Sequence, residues 1–160
     1  MYFSFLVGCD HLLGLQMTSE SVAYIGFADG ASCHTLNLAS ATWVIYEPSG
    51  QLLSSGSTWL GPSTNNIAEY SAIIELLLAA MSYGIQHMVV HLDSQLVVLQ
   101  LNGRYQVHDS SILRKYLWIK LLEWQFQFIT YVHIPRSQNW LADSLANFAL
   151  DWHITHLPST

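Results

Sequence analysis

The hydrophobic and polar residues of this chain first follow the pattern of an antiparallel meander. Three runs rich in β-branched and aromatic residues, at 21–29, 41–47 and 52–60, are each typical of a strand. Pro48, Ser49 and Gly50 separate the second run from the third and supply a turn. These runs predict three sequential antiparallel strands, the last two joined as a hairpin.

From residue 66 onward the pattern changes to helices alternating with strands. Apolar residues recur at three- and four-residue steps over 66–83, and Gly84 suits the C-terminal cap of a helix there. The remaining predicted elements are strands at 88–92 and 126–133 and helices at 94–102, 110–124 and 139–151. The order βββαβααβα predicts an α/β fold in which helices flank a mixed five-stranded sheet of antiparallel and parallel strands.

Length and composition indicate one folded domain. The 160 residues are 51% hydrophobic and 10% charged, which excludes disorder and indicates a well-filled core. We assign the domain to 21–152, with a leader of unknown role at 1–20 and a short tail at 153–160. No apolar run approaches the ~20 residues of a membrane-spanning helix, so we expect no membrane partner.

The leader and the cysteines indicate an intracellular protein, cytoplasmic or nuclear, that is not secreted. The leader is apolar but lacks the basic start of an export signal, and Asp10 and His11 interrupt it. Cys9 and Cys33 fit neither a disulfide framework nor a metal knuckle, so a reducing compartment is expected.

Four acidic residues stand in recognisable local settings. Asp29 ends the first predicted strand, Glu69 lies one turn inside a helix, Asp93 follows a buried strand, and Asp143 lies beside the apolar stripe of the last helix. Four carboxylates gathered at one point repel each other unless cations hold them. Such a set is what a site for two divalent metal ions requires.

Each acid also has a plain structural alternative. Asp29 could belong to an ordinary strand-to-loop turn, and Glu69 could complete a capping box with Asn66. Asp93 could cap the next helix, and Asp143 could be a solvated helix residue. The four together favour a functional site over these alternatives.

The sequence motifs around the four acids resemble those of the type 1 ribonuclease H family. They read FADGAS, TNNIAEY, LDSQLV and NWLADSLA. The resemblance covers about residues 22–150, and the predicted element order agrees with the ribonuclease H-like fold. The longer stretches NNIAEYSAIIELLLAA and HIPRSQNWLADSLANFA are similar to the ribonuclease H domains of plant gypsy-type retroelement polyproteins.

The resemblance implies a metal-dependent endonuclease that cuts the RNA strand of RNA/DNA hybrids and leaves 5′-phosphates. The four acids would hold two Mg²⁺ ions, with Mn²⁺ as a possible substitute. The 2′-hydroxyl would distinguish RNA from DNA. The positions that match the family's substrate contacts are Gly30, Ala31, Asn65, Asn66, Ser94, Gln95 and Asn139.

The chain departs from the family pattern in three places. A glycine-rich loop between the first two strands is replaced by residues 32–40, and the loop before the last helix is shortened to 134–138. In that second loop Arg136 is the expected substitute for a mobile catalytic histidine, and His133 is a weaker candidate. The chain also lacks a basic protrusion between its middle helices.

The net charge of −6 at first argues against a nucleic-acid partner. Without the four site acids, seven acidic residues face five basic ones, which leaves −2. We therefore expect weak, salt-sensitive binding to nucleic acid, with residues 114–120 either facing phosphates or forming a solvated helix face.

The leading interpretation is a ribonuclease H that removes RNA during reverse transcription of a retroelement, with a polymerase domain as a possible partner. Two alternatives remain open at this point. The chain could be a catalytically silent connector or binding module, or a nuclease of broad specificity. Asn65, Asn66 and Gln95 argue against the last, and the oligomeric state stays undetermined.

Overall fold

A computed structural model of the chain describes residues 22–33, 35 and 38–155. The predicted leader, 1–20, lies outside the described residues, as do residues 156–160 of the predicted tail. The strands are β1 (Tyr24–Cys33), β2 (Leu38–Tyr46), β3 (Leu52–Gly61), β4 (His87–Leu92) and β5 (Phe128–His133). The helices are α1 (Asn65–Ser82), α2 (Gln95–Leu101), α3 (Ser110–Glu123) and α4 (Trp140–Thr155), with a 3₁₀ turn at Arg136–Gln138.

The five strands form one mixed sheet in the order β3-β2-β1-β4-β5. β1 pairs antiparallel with β2, and β2 pairs antiparallel with β3, as the meander predicted. β4 lies parallel to both β1 and β5. The predicted fold class is therefore confirmed.

Helices cover the two faces of the sheet unequally. α1 packs on β1 and β2 and is itself covered by α3, and this layer holds a core that includes Ile45, Ile73, Leu77 and Val90. On the other face, α4 packs on β1 and β2. No described helix is long and apolar enough to cross a membrane.

Several element bounds differ from the sequence predictions, most of them by one to three residues. β1 continues four residues beyond Asp29 and β2 begins at Leu38, because their antiparallel pairing extends to Cys33 opposite Leu38. The predicted loop 32–40 is therefore mostly strand, and Asp29 lies inside a strand rather than at its end. α4 runs to Thr155, past its predicted end at Asp151.

Candidate active site

The four predicted acids line one polar cleft of about 200 Å³ beside β1, the central strand of the sheet. Each comes from a different element: Asp29 from β1, Glu69 from α1, Asp93 from the loop after β4, and Asp143 from α4. The rest of the lining consists of Gly30, Ala31, Ser32, Asn65, Arg136 and Asn147.

Gly30 allows β1 and α1 to approach closely enough to form the cleft. A Cβ atom at this position would lie 2.3 Å from the backbone carbonyl carbon of Ala68 and from the backbone nitrogen of Glu69. Real Cβ atoms do not approach backbone so closely, so only glycine fits.

Asp29 is the most perturbed acid of the cleft. Its side chain is buried, and the pKa of its carboxyl is raised to about 7, first by burial and then by the charges of Asp93, Asp143 and Glu69. The guanidinium of Arg136 opposes this rise only weakly. Near neutral pH the cleft therefore holds more negative charge than it stabilises, which is the condition that a bound cation would relieve.

Glu69 contributes one oxygen that has no hydrogen-bond partner. The Asn65 side-chain amide donates to Oε1 at 3.1 Å, whereas Oε2 is buried and unpaired among the described residues. Burial raises the pKa of Glu69, and the nearby Ser94 side chain partly offsets this. An unpaired, buried carboxylate oxygen is costly unless a ligand or an ion reaches it.

The structure rules out the capping alternatives for Glu69 and Asp93. Thr64 caps α1 by accepting the backbone N–H of Ile67 at 3.3 Å, so Glu69 lies beyond the capping box. Ser94, not Asp93, caps α2 by accepting the N–H of Val97. Both carboxylates are therefore left to the cleft.

Asp143 is paired with Arg136 across the mouth of the cleft. Arg136 donates from Nε at 3.1 Å and also from Nη2 to the same carboxylate oxygen, and this contact raises the pKa of the guanidinium. The Arg136 side chain is 74% exposed, so the pair can open without unfolding. His133 ends β5 with an exposed side chain and does not line the cleft.

The four carboxylates of the cleft can hold divalent metal ions only if other ligands complete the coordination of each ion. No group of three or more His, Cys, Asp or Glu side chains within the described ranges is arranged to hold an ion by itself. Mg²⁺, however, commonly binds one or two carboxylates and fills its octahedron with waters and substrate phosphates. The unpaired oxygen of Glu69 and the raised pKa of Asp29 are consistent with such a site.

The predicted substrate contacts divide into two groups. Gly30, Ala31 and Asn65 line the cleft itself, and Ser94 lines a small adjoining pocket with Asp29, Glu69 and Asp93. Asn66 opens instead onto a neighbouring pocket between α1, α2 and the start of α3. Gln95 begins α2 with an exposed side chain. It lines neither the acidic cleft nor either of the two neighbouring pockets.

Asn139 does not line the cleft. Its side chain is 1% exposed, and its amide donates to the backbone carbonyl of Ala28 at 3.2 Å. It therefore ties the start of α4 to β1, and its contact with substrate stays a prediction.

Several residues that form the cleft had no clear signal in the sequence. Asn147 follows Asp143 by one helical turn and donates to its carbonyl at 2.8 Å, so its spacing on α4 was the available clue. Thr42 and Ser40 on β2 donate to the backbone carbonyls of Ala142 and Ala146, at 2.8 and 2.7 Å. These two hydroxyls fix α4, and thus Asp143, against the sheet.

The predicted basic patch at 114–120 is smaller than its sequence indicated. Lys120 donates to both carboxylate oxygens of Glu123 and to the carbonyl of Leu101, so its charge is already neutralised within the fold. Burial lowers the pKa of Lys115, which lies near Glu75. Within residues 114–120, Arg114 is the one basic residue that has an exposed side chain and forms no salt bridge with the described residues.

Comparisons with known proteins identify a family and several relatives of this chain. A family model described as reverse transcriptase-like matches residues 27–149. Ribonuclease HI of Halobacterium salinarum is 38% identical over 125 residues, which are 78% of this chain and 63% of that protein. The chain thus spans less than two thirds of this curated relative.

Solved structures share the fold as well as the sequence. RNase H1 of Halobacterium salinarum superposes with a TM-score of 0.78 at 36% identity, covering 81% of this chain and 98% of that one. LC11-RNase H1, isolated from compost by a metagenomic approach and solved in complex with an RNA/DNA hybrid, gives 0.77 at 31% identity, covering 82% and 99%. Because the family model covers most of its length, this chain belongs to the reverse transcriptase-like family, and type 1 ribonucleases H are its homologues.

Proposed function

We propose that this chain is a ribonuclease H that hydrolyses the RNA strand of RNA/DNA hybrids. The observation that carries the proposal is the meeting of four acids from four elements in one cleft, where the pKa of Asp29 rises to about 7. A structural cluster of acids would be paired with basic residues, yet Arg136 is the only basic residue among those that line this cleft. Homologues named as ribonucleases H, one of them solved with a hybrid, support the same activity.

The acids would act as ligands for two Mg²⁺ ions. Asp29, Glu69 and Asp93, which line both the cleft and its adjoining pocket, would hold the ions together with Asp143 of the cleft. When bound, such ions supply an activated water and stabilise the leaving oxygen of a phosphodiester. The chain's own part is to hold the carboxylates at fixed positions on rigid elements.

Selection of a hybrid would come from the polar residues around the acids. Asn65 is held by Glu69 through one N–H and keeps its carbonyl oxygen for a ribose or base-edge donor. Gly30 and Ala31 also line the cleft, and neither has a large side chain that would exclude a sugar. A ribose 2′-hydroxyl, which both donates and accepts, fits such a surface better than deoxyribose does.

The biological setting that we propose is RNA removal during reverse transcription of a retroelement. This proposal comes from the resemblance of NNIAEYSAIIELLLAA and HIPRSQNWLADSLANFA to plant gypsy-type domains, and the description of the matching family is compatible with it. An adjacent polymerase domain would supply the nucleic-acid affinity that five basic residues do not. The catalytic unit would be the domain at 21–152, acting inside the cell.

The proposal is tested with a panel of labelled substrates. A 5′-labelled RNA annealed to DNA is incubated with the full chain in Mg²⁺ and in Mn²⁺, beside the same RNA alone, the RNA duplex and the DNA duplex. We expect metal-dependent cutting of the hybrid only, with products that carry 5′-phosphates. Cutting of the DNA duplex would instead identify a nuclease of broad specificity. A folded chain that binds the hybrid without cutting it would identify a silent binding module.

A further inference from the structure

A second, apolar cavity of about 270 Å³ lies between the sheet and the first turn of α4. None of the residues that line it is charged. They are Ile25, Phe27, Val44, Tyr46, Gly50, Gln138, Asn139, Trp140, Leu141 and Ala142. It shares no residue with the acidic cleft, so the proposed activity leaves it without a role.

The cavity exists because α4 covers only part of its face of the sheet. Thr42 and Ser40 bind the carbonyls of α4 over the middle of β2, whereas Ile25 and Tyr46, which pair with each other at the start of β1, remain partly uncovered. Phe27 continues this apolar surface toward β4 through an edge contact with His91 at 5.1 Å between ring centroids. Apolar surface left in water costs roughly 25 cal/mol per Å², which favours an apolar occupant.

The chain itself supplies a segment of this chemistry at the edge of the cavity. Residues 1–21, MYFSFLVGCDHLLGLQMTSES, are rich in large apolar side chains and contain no lysine or arginine. They join the described chain at Val22, three residues before Ile25 in the cavity wall. An extended chain spans about 3.3–3.6 Å per residue, so a few residues suffice to reach the cavity.

We propose that residues 1–21 dock on this cavity and fill it with apolar side chains. Docking would cover the uncovered start of the sheet and support the first turn of α4 from the side opposite the cleft. The docking does not depend on the proposed nuclease activity. An exposed apolar stripe on α3 (Leu117, Leu121 and Trp124) is the competing surface, and it belongs to the opposite helical layer.

The test uses the full chain with a spin label on Cys9, in a Cys33→Ser background. Paramagnetic broadening of assigned side-chain signals reports which surface the label approaches. We expect strong broadening at Ile25, Leu141 and Ala142, and little at Leu117 and Leu121. The matched control carries the same label together with Leu12→Ser and Leu13→Ser, two positions outside the matched family region.

Each outcome decides the proposal. Broadening around the cavity that is lost in the serine control supports docking through apolar contacts. Broadening that is equal in both proteins would mean that the label is near only because the chain is tethered there, and would overturn the proposal. Strongest broadening on α3 would overturn it in favour of the helical layer.

Discussion

At the scale of single residues, the cleft is defined by carboxylates whose charges the fold does not balance. Asp29 is buried beside three other acids, and Glu69 keeps an unpaired oxygen. Such an arrangement lowers the stability of the folded chain in the absence of a cation. This cost is typical of sites that are built to bind rather than to stabilise.

The pKa of Asp29 predicts how stability changes with pH. The group has its ordinary value of 3.8 in the unfolded chain and about 7 in the folded one, so the folded chain binds the proton more tightly. Its contribution to the free energy of unfolding is therefore complete below about pH 4 and is lost as pH rises through 7, by at most about 1.4 kcal/mol per pH unit. The Asp29→Asn substitution removes this loss of stability at high pH. We therefore expect the variant to melt at a higher temperature than the wild type at pH 8.

Thermal melts in a metal chelator, from pH 4 to pH 8, measure this effect. Glu47→Gln, in the turn after β2, is the matched control that removes a charge away from the cleft. Addition of Mg²⁺ at pH 8 should then raise the melting temperature of the wild type and leave Asp29→Asn nearly unchanged. Parallel pH dependence of the wild type and Asp29→Asn would contradict the assignment.

The ion pair of Arg136 with Asp143 predicts the metal affinity of one variant. The guanidinium occupies the carboxylate that a metal ion would use, and exposed pairs of this kind contribute about 0.2–1 kcal/mol. Arg136→Gln should therefore bind Mg²⁺ up to about fivefold more tightly in calorimetric titration without substrate. Arg104→Gln, an exposed arginine in the loop after α2, should leave the affinity unchanged. Weaker binding by Arg136→Gln would show that the arginine supports the metal site instead of competing for it.

At the scale of secondary-structure elements, the cleft depends on how closely β1 and α1 pack. Gly30→Ala would place a Cβ atom 2.3 Å from backbone atoms of α1, and the two elements must separate to accept it. We expect a loss of about 1–3 kcal/mol in the free energy of unfolding, because overpacking against backbone has few ways to relax. Chemical denaturation measures this loss, and Ala31→Ser on the same strand is the control. A Gly30→Ala protein as stable as the wild type would refute the close contact.

The sequence predicted the elements and their order because local patterns determine them. The alternation of the meander and the helical period of α1 required no knowledge of distant residues. The continuation of β1 past Asp29 was missed because it results from pairing with β2, which local sequence does not encode. The length of α4 beyond Asp151 was missed for a related reason, since no glycine or proline marks an end there.

The candidate site was predictable in its acids but not in its supports. The four carboxylates stand in recognisable sequence motifs, and the structure places all four in one cleft. Thr42 and Asn139 instead hold α4 by hydrogen bonds to residues about one hundred positions away. A contact of that separation leaves no local pattern, and for Asn139 the motif alone suggested a substrate contact.

At the scale of the whole molecule, charge limits how strongly the chain can hold nucleic acid. Five basic residues face eleven acidic ones, and Lys120 is neutralised within the fold. If about two phosphate contacts form, raising salt from 50 to 200 mM should weaken hybrid binding only about tenfold. Fluorescence anisotropy with the Asp93→Asn protein measures this without cleavage. A loss of a thousandfold would contradict the small electrostatic footprint.

Removal of one carboxylate charge decides whether the acidic cleft cuts RNA in hybrids. Wild type and Asp93→Asn are incubated with a 5′-labelled hybrid in Mg²⁺, after circular dichroism shows that both are folded. Asparagine keeps the shape of the side chain but removes the charge that would hold a metal ion. We predict that cutting falls by orders of magnitude in the variant. Equal cutting by the two proteins would contradict the account, because the cleft would then not be the site of the reaction.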